Sequence, residues 1–327
     1  MGKLDRFDAH VPAEPWVNPW QADGSFEVDL ALLARLLGVA EGTSQRSGVV
    51  AGAVDIWAAE ELRRAGMHPD DVWPRRTDPR IMPRDVRKFV EHGLTVGLRE
   101  QVQQRYSSPG ARRALPTDAR VMGSAYSKQA DVVVASWAAG LELMISTKTM
   151  LSSYAKNLRN RFEEAYGDAK NLRGRHPLAA LGFLFVMGAD AEESELDFAI
   201  DMMTKLTSEP DVYDTACLLV VDTAAKEDEE VAAEEPDELD EPAALDSIPE
   251  LDLSINAEDD AGEDDAPDAV DVQPVQVLAG RVPDHLAASQ FFATLLGKAL
   301  HHMPTGVYPE VRARRRSPQG DSGHPQS

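Results

Sequence analysis

The sequence predicts an α/β protein, because short apolar runs typical of buried strands alternate with segments of helical periodicity. Two runs, 131–135 and 141–147, are rich in Val, Ile and Leu and are joined by a small loop that contains Gly140. A third apolar run, 178–187, lies between Pro177 and Gly188 and is read as a buried strand, with a core helix as the open alternative. A polar helix is predicted at 150–172, before this third run.

The elements before this block are mainly helical. Apolar residues have helical spacing at 30–37 and 54–65, and the segment 66–86 holds four prolines and is expected to be a loop. The next segment, 84–106, is predicted to be one amphipathic helix. Its apolar face would consist of Val86, Val90, Leu94, Leu98 and Val102. A short strand at 120–122 follows the break at 107–118.

The elements after the block repeat the alternation of helix and strand. We expect a helix at 194–206, a buried strand at 216–221, a short strand at 275–278 and a helix at 285–302. Together these predictions give an α/β core flanked by a helical N-terminal region and a C-terminal helix.

The charge of the chain is concentrated in one segment. The stretch 226–271 holds 21 acidic residues against Lys226 alone, so it carries −20 of the net charge of −23 and leaves −3 for all other residues. The stretch has no aromatic residue and almost no periodicity, and we expect it to be a disordered insertion. Because the rest of the chain is nearly neutral, the overall acidity does not exclude a nucleic-acid partner.

Composition excludes several kinds of site. The single cysteine, Cys217, rules out an internal disulfide and a cysteine-rich zinc site. The first residues lack the apolar core of a signal peptide, and no run approaches 18 apolar residues, so we expect a cytoplasmic protein without a membrane partner. Neither a nucleophile elbow nor a phosphate-binding glycine loop is found in the sequence.

The central block carries the chemistry. Asp131 opens the first predicted strand, and Lys148 ends the second, so an acid and an amine are expected side by side on one sheet edge. Such an edge can hold a divalent metal against a phosphodiester. The predicted order of helix, three strands, helix and strand, together with Asp131 and the sequence Ser146-Thr147-Lys148, resembles the core of the PD-(D/E)xK nuclease superfamily. That superfamily includes many restriction endonucleases.

The resemblance implies a restriction-endonuclease-like α-β-β-β-α-β core, a mixed sheet flanked by helices. It also implies that Asp131 binds Mg²⁺ or Mn²⁺ and that Lys148 positions or activates the attacking water. The sequence departs from the family pattern at Ser146, which stands where a second metal-binding acid belongs. Ser146 itself is retained as a candidate catalytic residue.

Two residues are candidates to replace the missing acid. Strand alternation predicts that Glu142 points to the same face as Ser146 and Lys148, although Glu142 lies about 13 Å from Ser146 along the strand. Glu164, one helical turn before Asp168, would instead reach the sheet edge from the following helix. Four residues near this helix are candidate nucleic-acid contacts, with a solvated helix face as the alternative reading: Lys156, Asn157, Arg161 and Arg173.

The sequence therefore predicts a metal-dependent endodeoxyribonuclease of a restriction or defence system that acts on double-stranded DNA, with a homodimer left open. The alternative is a catalytically inactive protein of the same fold that acts as a DNA-binding or assembly subunit. The predicted organisation is an N-terminal arm and helical region at 1–83, the nuclease-like core at 84–225, the acidic insertion at 226–272, a C-terminal helix within 273–316 and a disordered tail at 317–327.

Overall fold

The computed structural model describes residues 4–13, 16–41, 48–106, 118–223 and 274–318. The predicted acidic insertion lies outside the described residues, as does most of the predicted tail. The strands are β1 (Val72–Trp73), β2 (Ala119–Met122), β3 (Ser127–Ala130), β4 (Val132–Ser136), β5 (Gly140–Met150), β6 (Ala180–Gly188), β7 (Thr215–Thr223) and β8 (Val275–Val277). The α-helices are α1 (Leu30–Ala40), α2 (Val49–Arg64), α3 (Arg84–Lys88), α4 (Val96–Tyr106), α5 (Tyr154–Arg175), α6 (Glu193–Ser208), α7 (Ala288–His302) and α8 (Pro309–Arg316).

The predicted α/β class is confirmed by a mixed six-stranded sheet with the order β1-β4-β5-β6-β7-β8. β4 and β5 form an antiparallel hairpin, whereas β5, β6 and β7 are mutually parallel. Helices α5 and α6 supply the two crossovers that parallel neighbours require. β8 is the last strand of the sheet and pairs antiparallel with β7, with Thr223 opposite Val275.

Helices cover both faces of this sheet. One face packs against α1, α2 and α7, which share a hydrophobic cluster with alternate residues of the strands, including Val132, Ile145 and Leu184. The other face packs against α5 and α6, and its cluster includes Met144, Phe183 and Phe185. The alternation of β5 and β6 residues between the clusters follows from the two-residue period of a strand. The N-terminal helices thus share one core with the sheet.

The segment 84–106 differs from the prediction of one long helix. It consists of α3, a π-helical turn at Phe89–Gly93 and α4, with extended backbone at Leu94 between them. The predicted apolar face is largely unburied, since Val86 and Leu98 are 46% and 51% exposed and Val90 is its one buried member. Gly93 and Gly97 fall at this break, and glycine lowers the helix propensity of a segment that has little packing to stabilise it.

The strand predicted at 120–122 forms, but it does not join the main sheet. β2 pairs with β3 in a separate two-stranded sheet, and the chain then bends at Asp131 and continues as β4. The edge next to β4 is taken by β1, which falls in the segment predicted to be a proline-rich loop. Two residues are too few to give a strand signal. Within the described residues, no helix is long and apolar enough to cross a bilayer.

Candidate functional site

Asp131 lies at the bend between β3 and β4, where the β4–β5 ladder ends. The last ladder pair is Val132 opposite Ile145. Beyond it, the side chain of Asp131 takes the place of a strand carbonyl, because its Oδ2 accepts a hydrogen bond of 2.7 Å from the backbone N–H of Thr147. The two strands therefore hold this carboxylate in a fixed position beside the end of β5.

Lys148 is the residue after Thr147 on β5, and its side chain faces helix α5. Its Nζ lies 3.7 Å from Oε2 of Glu164, and Arg161 donates to the same oxygen over 3.2 Å. The side chain of Glu164 is 44% exposed, while that of Lys148 is 18% exposed. The structure thus brings together the predicted lysine and the predicted helix carboxylate at a half-open position on the sheet edge.

Asp131 experiences opposing electrostatic effects. The enclosure of its carboxyl group is the largest and raises its pKa above the usual value. The Thr147 N–H and the positive charges of Lys148 and Lys128 act in the opposite direction, and the negative charge of Asp168 raises the pKa further. Two acids and two lysines thus act on one another here, and further positive charge would favour the ionised form of Asp131.

A second ion pair borders this group. Lys128 on β3 places its Nζ 2.8 Å from Oδ2 of Asp168, whose Oδ1 accepts a hydrogen bond of 3.1 Å from the Tyr126 hydroxyl. Asn171 on α5 binds the β2–β3 turn, since its Oδ1 accepts from the N–H of Ala125 over 2.8 Å. Sequence reasoning missed Lys128 and Tyr126, because their contact with α5 depends on how the hairpin folds over the helix.

Ser146 lies at the base of the site. It is 2% exposed and lies next to the hydroxyl of Tyr213, which is itself buried. Burial is the main cause that raises the pKa of Tyr213, so this residue is neutral at physiological pH. A serine enclosed in this way has no path to an incoming substrate, and the structure therefore gives Ser146 a packing role beneath Lys148.

Glu142 is not on the predicted face. The β4–β5 register shifts between Val134 and Ala135, so that Val134 pairs with Leu143 and Ala135 with Leu141. Glu142 is the extra residue of this bulge, and a bulge interrupts the alternation of side chains. Its carboxylate accepts a hydrogen bond from the hydroxyl of Tyr308, on the α2 side of the sheet. The expectation that Glu142 faces the same side as Lys148 is therefore wrong.

The four predicted nucleic-acid contacts have different surroundings. Asn157 is half-buried near the start of α5, Arg161 is held by Glu164, and the side chain of Lys156 lies outside the described part of the structure. Arg173 pairs with Asp214 over 2.8 Å and donates to the carbonyl of Ala179 over 2.7 Å. Its side chain is only 10% exposed, so the structure commits Arg173 to joining α5 to the strand ends.

The arrangement offers two carboxylates, Asp131 and Glu164, with Lys148 acting on both. Across the described ranges, no group of three or more His, Cys, Asp or Glu residues is arranged to hold a metal. Asp131 and Glu164 could supply a metal with two carboxylate ligands. The chain matches no protein-family model, no curated protein and no solved structure.

Proposed function

We propose that the chain is a metal-dependent endonuclease of restriction-endonuclease-like fold that hydrolyses phosphodiester bonds of double-stranded DNA, in a restriction or defence system. The observation that carries the proposal is the proximity of Lys148 to Glu164, 3.7 Å between Nζ and Oε2, with the charge of Lys148 also acting on Asp131. Glu164 thereby offers the carboxylate that Ser146 lacks. The assignment of the protein to a restriction or defence system rests on the family resemblance alone.

The order of elements supports the fold part of the proposal. Helix α4 and strands β2 and β3 precede β4, which is followed by β5, α5 and β6. Of these strands, β4, β5 and β6 share the main sheet, whereas β2 and β3 form a separate one. Asp131 sits directly before β4, and Lys148 sits near the end of β5. These are the positions at which the nuclease core carries its acid and its lysine.

The donor set fits a metal that takes few protein ligands. Mg²⁺ binds oxygen, keeps several waters and is commonly held by one or two carboxylates together with substrate phosphate. Asp131 and Glu164 would hold it, and the phosphate would complete its coordination. When bound, the metal supplies charge that polarises the phosphate and lowers the pKa of water.

The residues of the chain have separate roles in this proposal. Thr147 fixes Asp131 through its N–H, and Arg161 fixes Glu164. Lys148 supplies the positive charge that stabilises the phosphate oxygens as negative charge develops on them. For this, Lys148 exchanges its contact with Glu164 for one with the phosphate, a change that the exposed rim of the site allows.

A cleavage assay tests the proposal. Supercoiled plasmid is incubated with purified protein in Mg²⁺, in Mn²⁺ or in EDTA. We expect nicked or linear product with a metal and none with EDTA, and we expect Asp131→Asn to remove the activity. The matched control is Asp222→Asn, which alters an exposed aspartate at the end of β7. No cleavage with either metal, or full activity of Asp131→Asn, would contradict the proposal.

A second candidate function is DNA binding or assembly without catalysis. It is favoured by Ser146, a buried residue that stands at the position of the usual second acid and has no carboxylate. This function predicts that the protein retards duplex DNA in EDTA and that neither metal leads to cleavage. The same assay, with a binding measurement beside it, separates the two functions.

A further inference from the structure

Thr147 connects the two faces of the sheet through two hydrogen bonds. Its backbone N–H donates to Oδ2 of Asp131 over 2.7 Å, and its hydroxyl donates to Oδ1 of Asp55 over 2.6 Å. Asp55 belongs to α2, which packs on the face of the sheet opposite to α5. Thr147 thus binds Asp55 of the N-terminal region through its hydroxyl and the candidate catalytic Asp131 through its N–H.

The hydrogen bond from Thr147 to Asp55 matters because of where Thr147 lies in the sheet. The regular β4–β5 ladder has already ended at Val132 and Ile145, so Thr147 is not held on that side by a ladder bond. On its other side Thr147 remains paired with Leu184 of β6, so the backbone at this point is held by one ladder instead of two. The bond from the Thr147 hydroxyl to Asp55 constrains the backbone of Thr147 and therefore the direction of its N–H.

We infer that Asp55 is a positioning residue of the candidate site and acts through Thr147 on Asp131. This inference rests on the proposed function for its catalytic meaning. Partners that orient a metal-binding carboxylate typically contribute about 10- to 100-fold to metal affinity or activity when they are removed. Through Asp55, helix α2 of the N-terminal region is accordingly part of the site.

Two pairs of variants test the inference. Asp55→Ala removes the acceptor, and Thr147→Val removes the hydroxyl but keeps the N–H. Asp55→Asn and Thr147→Ser keep the hydrogen bond and serve as conservative rescues. The measurements are the hydrogen-exchange rate of the Thr147 amide and the affinity for Mn²⁺ alone. We expect faster exchange and about 10- to 100-fold weaker Mn²⁺ binding for the first two variants, with near wild-type values for the rescues.

Tyr308→Phe is the matched control. It removes a hydrogen bond to Glu142, on the same strand and the same face of the sheet as the Asp55 contact. A general loss of stability would therefore affect Tyr308→Phe and Asp55→Ala alike, whereas positioning affects only the latter. Equal responses of Tyr308→Phe and Asp55→Ala would overturn the inference. An unchanged hydrogen-exchange rate of the residue 147 amide in Thr147→Val would overturn it as well.

The inference and the proposed function fail in different ways. If wild type binds no Mn²⁺ but Asp55→Ala still speeds exchange at Thr147, the positioning contact stands and the metal-dependent function is overturned. If wild type binds Mn²⁺ and neither Asp55→Ala nor Thr147→Val changes the binding or the exchange, the function stands and the inference is overturned.

Discussion

Lys148 and Glu164 face each other across the gap between β5 and α5, with Nζ 3.7 Å from Oε2. The two residues come from different elements, and Arg161 steadies the carboxylate from one turn earlier on the helix. The relationship joins the lysine of the strand to an acid that the strand itself lacks. It also makes Glu164 the first residue to test.

Glu164→Gln is expected to reduce cleavage far more than Glu163→Gln. Neighbouring residues on a helix point about 100° apart, so only Glu164 faces Lys148. Both side chains are exposed, and both substitutions remove one negative charge, so a general charge effect would be equal. Cleavage rates of the two variants, measured at the same Mg²⁺ concentration, test this prediction. Equal rates would show that Glu164 has no special part in the reaction.

Arg173→Ala is expected to destabilise the fold. The DNA affinity of the folded Arg173→Ala protein is expected to equal that of Arg175→Ala. Removing Arg173 leaves the largely buried Asp214 with weaker partners, at a cost of roughly 3 kcal/mol in the free energy of unfolding. Arg175 is exposed and loses the same charge, which makes it the control. Urea unfolding and a DNA-binding titration give the two values. A DNA affinity that falls only in Arg173→Ala would restore this residue as a phosphate contact.

The stability of the N-terminal region should depend on pH through Glu61. This buried carboxyl accepts from the Asp29 N–H and pairs with Arg64 over 2.6 Å, yet burial raises its pKa to about 7 from 4.5. Between these pH values the folded chain binds a proton that the unfolded chain has lost. The contribution of Glu61 is therefore greatest below pH 4.5, and it declines until about pH 7.

The decline amounts to about 3 kcal/mol, since each pKa unit corresponds to about 1.4 kcal/mol. Unfolding free energies measured from pH 4.5 to 7.5 in wild type and in Glu61→Gln check this value. The difference between the two proteins should change across this interval, while Glu163→Gln should follow wild type. A constant difference between wild type and Glu61→Gln would refute the assignment.

Replacing residues 224–274 with a two-residue Asn-Gly turn should preserve the fold and stabilise it. Thr223 and Val275 are already opposite each other on antiparallel strands, which is the geometry that such a turn closes. Shortening the connection reduces the entropy lost on loop closure, a gain of about 2 kcal/mol. Thermal unfolding of both proteins measures the gain. A lower melting temperature in the shortened protein would show that the removed segment contributes contacts.

The sequence predicted those parts of the fold whose signal is local. β6 and β7 are continuous apolar runs, and both were placed to within two residues at each end. The prediction of one helix over 84–106 is wrong because periodicity alone does not reveal whether a helical face has anything to pack against. The exposed Val86 and Leu98 show that the apolar spacing there is not matched by a buried surface.

The site could be predicted only where its geometry follows from the order of the strands. Asp131 and Lys148 come near enough for the charge of Lys148 to act on Asp131, because they adjoin the two strands of one hairpin. The direction of Glu142 depends on a one-residue bulge, which no residue type in this segment signals. The Lys128–Asp168 pair depends on the β2–β3 hairpin folding over α5, which is a tertiary contact.

The cleavage rate of Lys148→Ala relative to wild type is the most direct test of the central claim that Asp131, Lys148 and Glu164 form one hydrolytic site. The side chain of Lys148 lies between β5 and α5 and contributes charge to the site, so the variant should keep the circular dichroism spectrum of wild type. The rate at saturating Mg²⁺ should fall by about 100-fold or more, because a positioned charge that stabilises the transition state is lost. A folded Lys148→Ala protein that cleaves plasmid at the wild-type rate would contradict the account.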